Sequence, residues 1–519
     1  METIVLYNIQ GALQKTKDIH MNRYFDNTDF CLSSVCPRLM WTNRRAPGEL
    51  PQSFAAEQTV DRLNRRTASK QLASIEKGCV VLSVCGESEL ICATVNLFSG
   101  GKVPPMGVCG AAFRSGSFVA YTDLLCPDKE GGVIMYCVRP ALHIRPMNIR
   151  EAAFCAQVVQ DSGIAVSRVI AVCLDSAYVR GGEKPLSQMF RFTDITGECT
   201  RKSREVMKFA SRMLEVLNCP KAPDISLNAS CITPEDCPAL HHHRKQLEDP
   251  NILDMCGVSR KTKLSLIRET GGALRTLKNS PALSPLEKRQ VRMITDNIPP
   301  VIDVRGIKSF ISTLSYPLCF LDFESYQPPV PPFDGLRPFE PLAFQYSMHV
   351  WYSPDMPPVH RSFLAPAGTD PRRAMAAQLA EDIPEGACLV AYNMQFEAHV
   401  LETLADMFPE YAPYLNTARK NMRDLMKVFS KRQWYDGKMM GSFSLKAVVA
   451  ALFPDDKSVG YQSLHGVHNG CEAMNAYALA AAGETRSTKD DLLDYCAMDT
   501  MSMVKITELL YKAVSGNNE

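Results

Sequence analysis

The reading of this chain turns on YPLCFLDFES, residues 316–325, followed after a Pro-rich stretch by LAFQYSMHVWY at 342–352. Apolar residues entered by Pro317 predict a strand, and in a strand side chains two apart share one face. Asp322 and Glu324 therefore project together, while Leu321 and Phe323 point into a core. Adjacent carboxylates repel unless a cation neutralises them, and oxygen-rich clusters suit magnesium or manganese. Alone, D-x-E says little, because chance produces it in most chains of this length.

Working outward, ACLVAYNMQFEAHVLETL at 387–404 predicts a strand running through Asn393 into a helix. Glu397 falls in the first turn of that helix, where the helix dipole favours an acid. Further on, RSTKDDLLDYCAMDTMSMVKITELLYKAV at 486–514 predicts a long helix, with Ser487 and Asp490, or Thr488 and Asp491, as its capping pair. Tyr495 and Asp499 are four apart on that helix and share a face. An aspartate inside an otherwise apolar helix is costly unless paired or metal-bound, so Asp499 reads as functional.

A chain of 519 residues accommodates two or three domains. With 46% hydrophobic and 22% charged residues, and no apolar run long enough to span a bilayer, it reads as soluble, with no membrane partner. The opening METIVLYNIQGALQKTKDIHMNRYFD resembles neither a secretory nor a transit peptide, and the expected location is cytoplasmic. The 19 scattered cysteines, many inside apolar runs such as IAVCLD, suit thiols in a reducing compartment. A net charge of +1 means that any nucleic acid is gripped locally. The candidate basic stretches are Arg201–Lys208, Arg260–Lys263 and Arg419–Arg432, though each reads more readily as a solvated helix face.

Three regions follow from turns and composition. Residues 25–245 are mixed α/β, with strands in SFVAYTDLL and VIMYCV, a helix in REAAFCAQVVQDSG, and a Cys/His-rich end, SCITPEDCPALHHHRK. Residues 246–310 hold two helical patterns, SRKTKLSLIRET and SPLEKRQVRMI, and read as a helical connector. Residues 311–515 are β-rich first and α-rich afterwards.

Taken in order, D-x-E, N-x-x-F-E and Y-x-x-x-D resemble the three motifs of the DnaQ-like (DEDD) 3′→5′ exonucleases in their tyrosine variant, which have a ribonuclease H-like fold. The resemblance runs from Tyr316 to Ala513. It implies that Asp322, Glu324, Glu397 and Asp499 hold two magnesium or manganese ions and that Tyr495 orients the attacking water. Glu397 stands where an aspartate is usual, and Asp494 stands where the histidine variant has its histidine. The strings DFESYQPPVPPFDGLRPFEPLAFQYSMHV, YNMQFEAHVL, GSFSLKAVVAALFP, NGCEAMNAYALA and LLDYCAMDTMSMVKI resemble an uncharacterised bacterial family that fuses a RecB-like domain to such an exonuclease. By that resemblance Asp424 begins a core strand, and Ser444 to Lys446 open a helix near the substrate groove. Lys446 is then either a phosphate contact or a surface lysine. Tyr326, Phe333 and Phe339 either stack bases or pack the Pro-rich loop.

In the N-terminal half, FDNTDFCLSSVCPRLMW, FRSGSFVAYTDLL and VCLDSAYVRGGEKPLSQMFRFTDIT resemble the PD-(D/E)XK nucleases of RecB type. That chemistry needs an Asp, then Glu-x-Lys on the next strand. Asp123 takes the first place, but Tyr136 and Val138 stand where the Glu and Lys belong. Gly110 stands where an acid is expected, and Cys155, with Gln157 nearby, where a glutamine is common. The resemblance thus implies a degenerate nuclease retained for nucleic-acid binding or architecture. RecB-type nucleases also hold an iron-sulfur cluster. Here Cys36, Cys231 and Cys237 fall at matching positions, with His243 at the fourth and His241 and His242 as solvated neighbours able to replace it. Three thiolates and an imidazole suit zinc or an iron-sulfur cluster; otherwise the site has decayed to ordinary cysteines.

The expectation is an α/β protein: a RecB-like domain, a helical connector and a ribonuclease H-like domain with a mixed sheet and flanking helices. Its expected function is metal-dependent 3′→5′ exonuclease activity on DNA or RNA. The alternative is an inactive nucleic-acid-binding or scaffold protein, and a third reading makes the N-terminal domain a metal-cluster sensor.

Overall fold

A computed structural model describes residues 5–6, 24–76, 78–82, 86–232, 237–484 and 489–515. The chain is mixed α/β and divides into two units, Met1–Ser226 with Gln327–Glu340, and Leu227–Tyr326 with Pro341–Glu519. The expected connector, 246–310, is counted with the second unit, and the Pro-rich stretch with the first. Among the described residues there is no disulfide, and no helix is long and apolar enough to cross a membrane.

The first unit is built on a seven-stranded sheet, in the order Val5–Leu6, Val80–Val81, Val108–Cys109, Leu124–Pro127, Val133–Val138, Val166–Leu174, Phe190–Asp194. The stretch SFVAYTDLL is two strands rather than one. Phe118–Tyr121 pairs with Ala112–Ser115 as a separate hairpin, and Leu124–Pro127 joins the main sheet, so the chain changes partner at Thr122 and Asp123. Helix Pro146–Asp161 buries its apolar side, and Phe154 stacks on Phe30 at 5.2 Å. The Pro-rich stretch is tied in by backbone bonds from Arg180 N to Leu336 O (3.0 Å) and from Gly335 N to Arg180 O (2.8 Å). Val330 and Phe339 pack against the core around Tyr178 and Phe190.

In the second unit a five-stranded sheet runs Val359–Leu364, Leu342–Trp351, Leu318–Tyr326, Cys388–Ala391, Met422–Asp424. The first three strands are antiparallel and the last two run parallel to Leu318–Tyr326. Both faces of the central strand are covered, as a mixed sheet flanked by helices requires. Cys319, Leu321 and Phe323 pack with Met375, Leu379, Leu401 and Leu404 of helices Arg372–Asp382 and Gln395–Met407. On the other face, Leu318 and Phe320 pack with Met503, Val504, Ile506 and Leu510 of helix Lys489–Ser515. Alternation along the strand then brings Asp322 and Glu324 to the face that meets this helix. Asp424 ends its strand instead of beginning it. The capping pairs through Ser487 and Thr488 lie outside the described residues.

Candidate metal centre

Three separate segments of the second unit deliver the carboxylates. Asp322 and Glu324 stand opposite Ser347 and Gln345 on the neighbouring strand, and a register shift follows Glu324, where the ladder loosens toward the strand's end. Helix Lys489–Ser515 is pinned across this strand pair by polar contacts. Gln345 Nε2 donates to Leu492 O (2.7 Å), and the Thr500 hydroxyl lies 2.8 Å from both Ser347 Oγ and His349 Nδ1. The pins fix the rotation of the helix, and with it Tyr495 and Asp499, both buried.

Glu397 arrives by a sharp turn between strand Cys388–Ala391 and helix Gln395–Met407. Asn393 takes φ 65°, a left-handed conformation that asparagine tolerates better than most side chains. Its N–H donates to Asp424 Oδ1 (3.0 Å), which also accepts from Met426 N (3.1 Å). Asp424 is thus a positioning residue that sets the turn behind Glu397. Glu397 Oε2 is buried with no hydrogen-bond partner, an expensive state for a carboxylate oxygen.

The electrostatics are those of crowded acids. Burial, then the charges of Asp499, Glu324 and Glu397, push Asp322 well above the ordinary carboxylate range. Glu324 is raised to about 8, by burial first and the Asp499 charge next, with Lys446 opposing. Burial lifts Glu397 to about 7. For Asp499 burial again dominates, to about 6, offset by hydrogen bonds from Tyr461 and Tyr495 and by the Lys446 charge. Ligand atoms of Asp322, Glu324 and Cys496 lie within 4.8 Å of one another, among the described residues the one group of three or more that fits a metal ion. Cys496 Sγ is 3.5 Å from Asp322 Oδ2, and burial followed by the Asp322 charge keeps it a neutral thiol.

Two residues sharpen the sequence reading. Tyr461, in the short turn Tyr461–Ser463, donates its hydroxyl to Asp499 Oδ1. No periodicity marks DDKSVGYQSL as part of a site; the only signal was an aromatic in a polar loop between two helices. Lys446 stands beside the carboxylates, its Nζ 5.0 Å from the ring centroids of both Tyr461 and Tyr495 and 2.5 Å from His468 O. Tyr326 packs edge-on to Tyr477 at 5.3 Å, and Phe339 is in the first unit's core, so both serve packing.

With this geometry in hand, the chain can be set against known proteins. Residues 319–444 match the family model described as Domain of unknown function (DUF2779). The match includes Asp322, Glu324, Glu397 and Asp424, and it stops before Tyr461, Tyr495 and Asp499. No curated protein and no solved structure matches the chain.

The remaining sequence candidates lie elsewhere. Asp123, in the first unit, accepts from Arg65 Nε (2.5 Å) and Nη2 (2.9 Å) and from Val138 N (2.9 Å), and lies 3.4 Å from Arg139 Nη1. Glu151 bonds Arg65 Nη1 (2.9 Å), and its Oε2 is 2.6 Å from Arg139 Nη2, a charge contact without hydrogen-bond alignment. Two guanidiniums and two carboxylates thus neutralise each other. Burial would raise Glu151, but Arg139 and Arg65 more than offset it and hold it at about 2. Tyr136 and Val138 follow on the strand, Gly110 turns with φ 78°, and Cys155 is buried in the core. Arg65, Arg139 and Glu151 were not legible as a set, because they are far apart in sequence. Cys36 is buried between two helices of the first unit. In the second unit Cys231 is buried with Ile232, Leu240, Leu253 and Leu264, and Cys237 packs against them. Cys231, Cys237 and His243 do not form a group of ligand atoms within 4.8 Å.

Proposed function

We propose that the chain is a divalent-metal-dependent 3′→5′ exonuclease acting on DNA or RNA through Asp322, Glu324, Glu397 and Asp499. The observation that carries the reading is a set of four carboxylates from three segments, Glu324, Glu397 and Asp499 buried and Asp322 half-buried, all raised in pKa by burial and Asp322 and Glu324 also by neighbouring acids, with one Glu397 oxygen unpartnered. Ionised together, such acids need something cationic beside them. An oxygen-dominated donor set fits magnesium or manganese, with Asp322, Glu324, Glu397 and Asp499 as the residues that would hold the ions. When bound, the metals would neutralise the acids, make water a stronger nucleophile and offset charge on the phosphodiester.

The chain's own groups have definable tasks beside that chemistry. Tyr495 is placed to orient the attacking water, and Tyr461 holds Asp499 in one rotamer. Lys446 presents an ammonium suited to a non-bridging phosphate oxygen. The sheet order and the helix across it are compatible with the ribonuclease H-like, DnaQ-type fold. In the first unit, the Arg65–Asp123–Arg139–Glu151 network fits a PD-(D/E)XK domain that no longer needs a metal there.

The test is direct. Incubated with end-labelled DNA and RNA and magnesium or manganese, the protein should shorten strands from the 3′ end. The Asp322→Ala, Asp499→Ala variant should not, and equal shortening by both proteins would refute the reading.

A further inference from the structure

The first unit carries a groove of about 910 Å³ lined by Arg204, Lys208 and Arg212, by one acid, Asp161, and by the polar side chains of Gln157 and Ser203, so cations outnumber acids three to one. The three cations follow each other at four-residue intervals on helix Thr196–Asn218, so each step advances about 6 Å along one face. Arg201 precedes them by one turn, and Glu215 ends the row. All four basic residues are exposed, and none makes an ion pair among the described residues. Like charges one turn apart repel, so the row is unfavourable by itself and relieved by an anion. The polar lining is ordered: Gln157 Nε2 donates to Asp161 Oδ1 (2.7 Å), while Gln157 Oε1 accepts from the Ser203 hydroxyl.

We propose that this groove holds the phosphate backbone of a single-stranded nucleic acid. A lone phosphate would be met by cations converging on one point, whereas these are strung out at the scale of successive phosphates on an extended strand. The guanidinium and ammonium groups grip phosphate charge and read no base, which gives sequence-independent binding. The proposal deepens the exonuclease reading, on which it rests for the identity of the polymer.

The experiment measures binding of fluorescent oligothymidylate and oligouridylate to the full chain in EDTA, across a range of potassium chloride. Reversing the row, Arg204→Glu, Lys208→Glu, Arg212→Glu, should weaken binding at least about tenfold and make the salt slope shallower by about 2, three phosphate contacts' worth. The charge-preserving Arg204→Lys, Arg212→Lys variant should bind like the parent, which separates lost charge from lost fold. Unchanged affinity and slope on reversal would overturn the proposal, as would polyglutamate binding the parent as tightly as the oligonucleotides. Hydrolysis of thymidine 5′-monophosphate p-nitrophenyl ester with manganese depends on the carboxylate site and not on the groove, and should survive the reversal. If the parent hydrolyses neither ester nor oligonucleotide, the exonuclease reading falls, while the binding data still decide the groove.

Discussion

Tyr461 donates its phenolic hydrogen to Oδ1 of Asp499, a residue 38 positions further along the chain. The bond favours the ionised carboxylate, and it is one of the forces opposing burial at Asp499. Tyr461→Phe should therefore raise the Asp499 pKa by about one unit, a charged hydrogen bond being worth about 1.5–3 kcal/mol. The acid limb of the pH–rate profile would move up correspondingly, with substrate affinity little changed. A profile superimposable on the parent's would show that Tyr461 only packs.

The metal-free protein should lose stability as pH rises. Asp499, Glu397 and Glu324, at about 6, 7 and 8, all lie above their unfolded values near 4, so between those limits the folded state binds more protons. The site's contribution is fully present below about pH 4 and is lost progressively toward pH 8. Manganese reverses the sense, because it favours the ionised acids. Melting curves in EDTA and in manganese across this range should diverge as pH increases.

Neutralising one acid should separate stability from activity. Asp322→Asn removes an acid whose charged form burial, and then Asp499, Glu324 and Glu397, disfavour in the fold but not in the unfolded chain, so at neutral pH the metal-free variant should melt higher, by about 2–4 °C per kcal/mol relieved. Its metal-dependent hydrolysis should fall at least about a hundredfold. A variant that melts lower without metal would contradict the electrostatic account.

In the first unit the sign is opposite. Arg139→Met leaves Asp123 and Glu151 facing only Arg65, and breaking such a buried set costs about 3–5 kcal/mol. Glu151, held at about 2, contributes stability that is present above pH 4.5 and lost as pH falls toward 2. Urea unfolding at neutral and acid pH should show the gap between parent and Arg139→Met closing in acid, while ester hydrolysis by the folded variant stays near the parent's.

Much of the second unit could be read from the chain because its signals are local. Alternation in LCFLDFES pairs Asp322 with Glu324, and helical spacing pairs Tyr495 with Asp499. The turn at Asn393 and its support from Asp424 could not be read this way, since a left-handed asparagine and the carboxylate that fixes it are 31 residues apart. Tyr461 escaped for the same reason. In the first unit, the resemblance to PD-(D/E)XK nucleases singled out Asp123, Tyr136 and Val138. It could not show that Arg65 and Arg139 supply the balancing charge, because guanidinium groups reach that place from a helix and a strand end with no shared spacing. SFVAYTDLL reads as one strand because a change of pairing partner leaves alternation intact.

Helix Lys489–Ser515 carries Asp499 and Tyr495 and also covers the apolar face of the central strand through Met503, Val504 and Leu510. During synthesis, the strand bearing Asp322 and Glu324 leaves the ribosome long before that helix does. Until the helix docks, the nascent chain has neither a complete acid cluster nor a closed core beneath it. If the proposed activity holds, it and the folding of this unit become available together, and an unfinished chain would not be a source of uncontrolled strand cleavage.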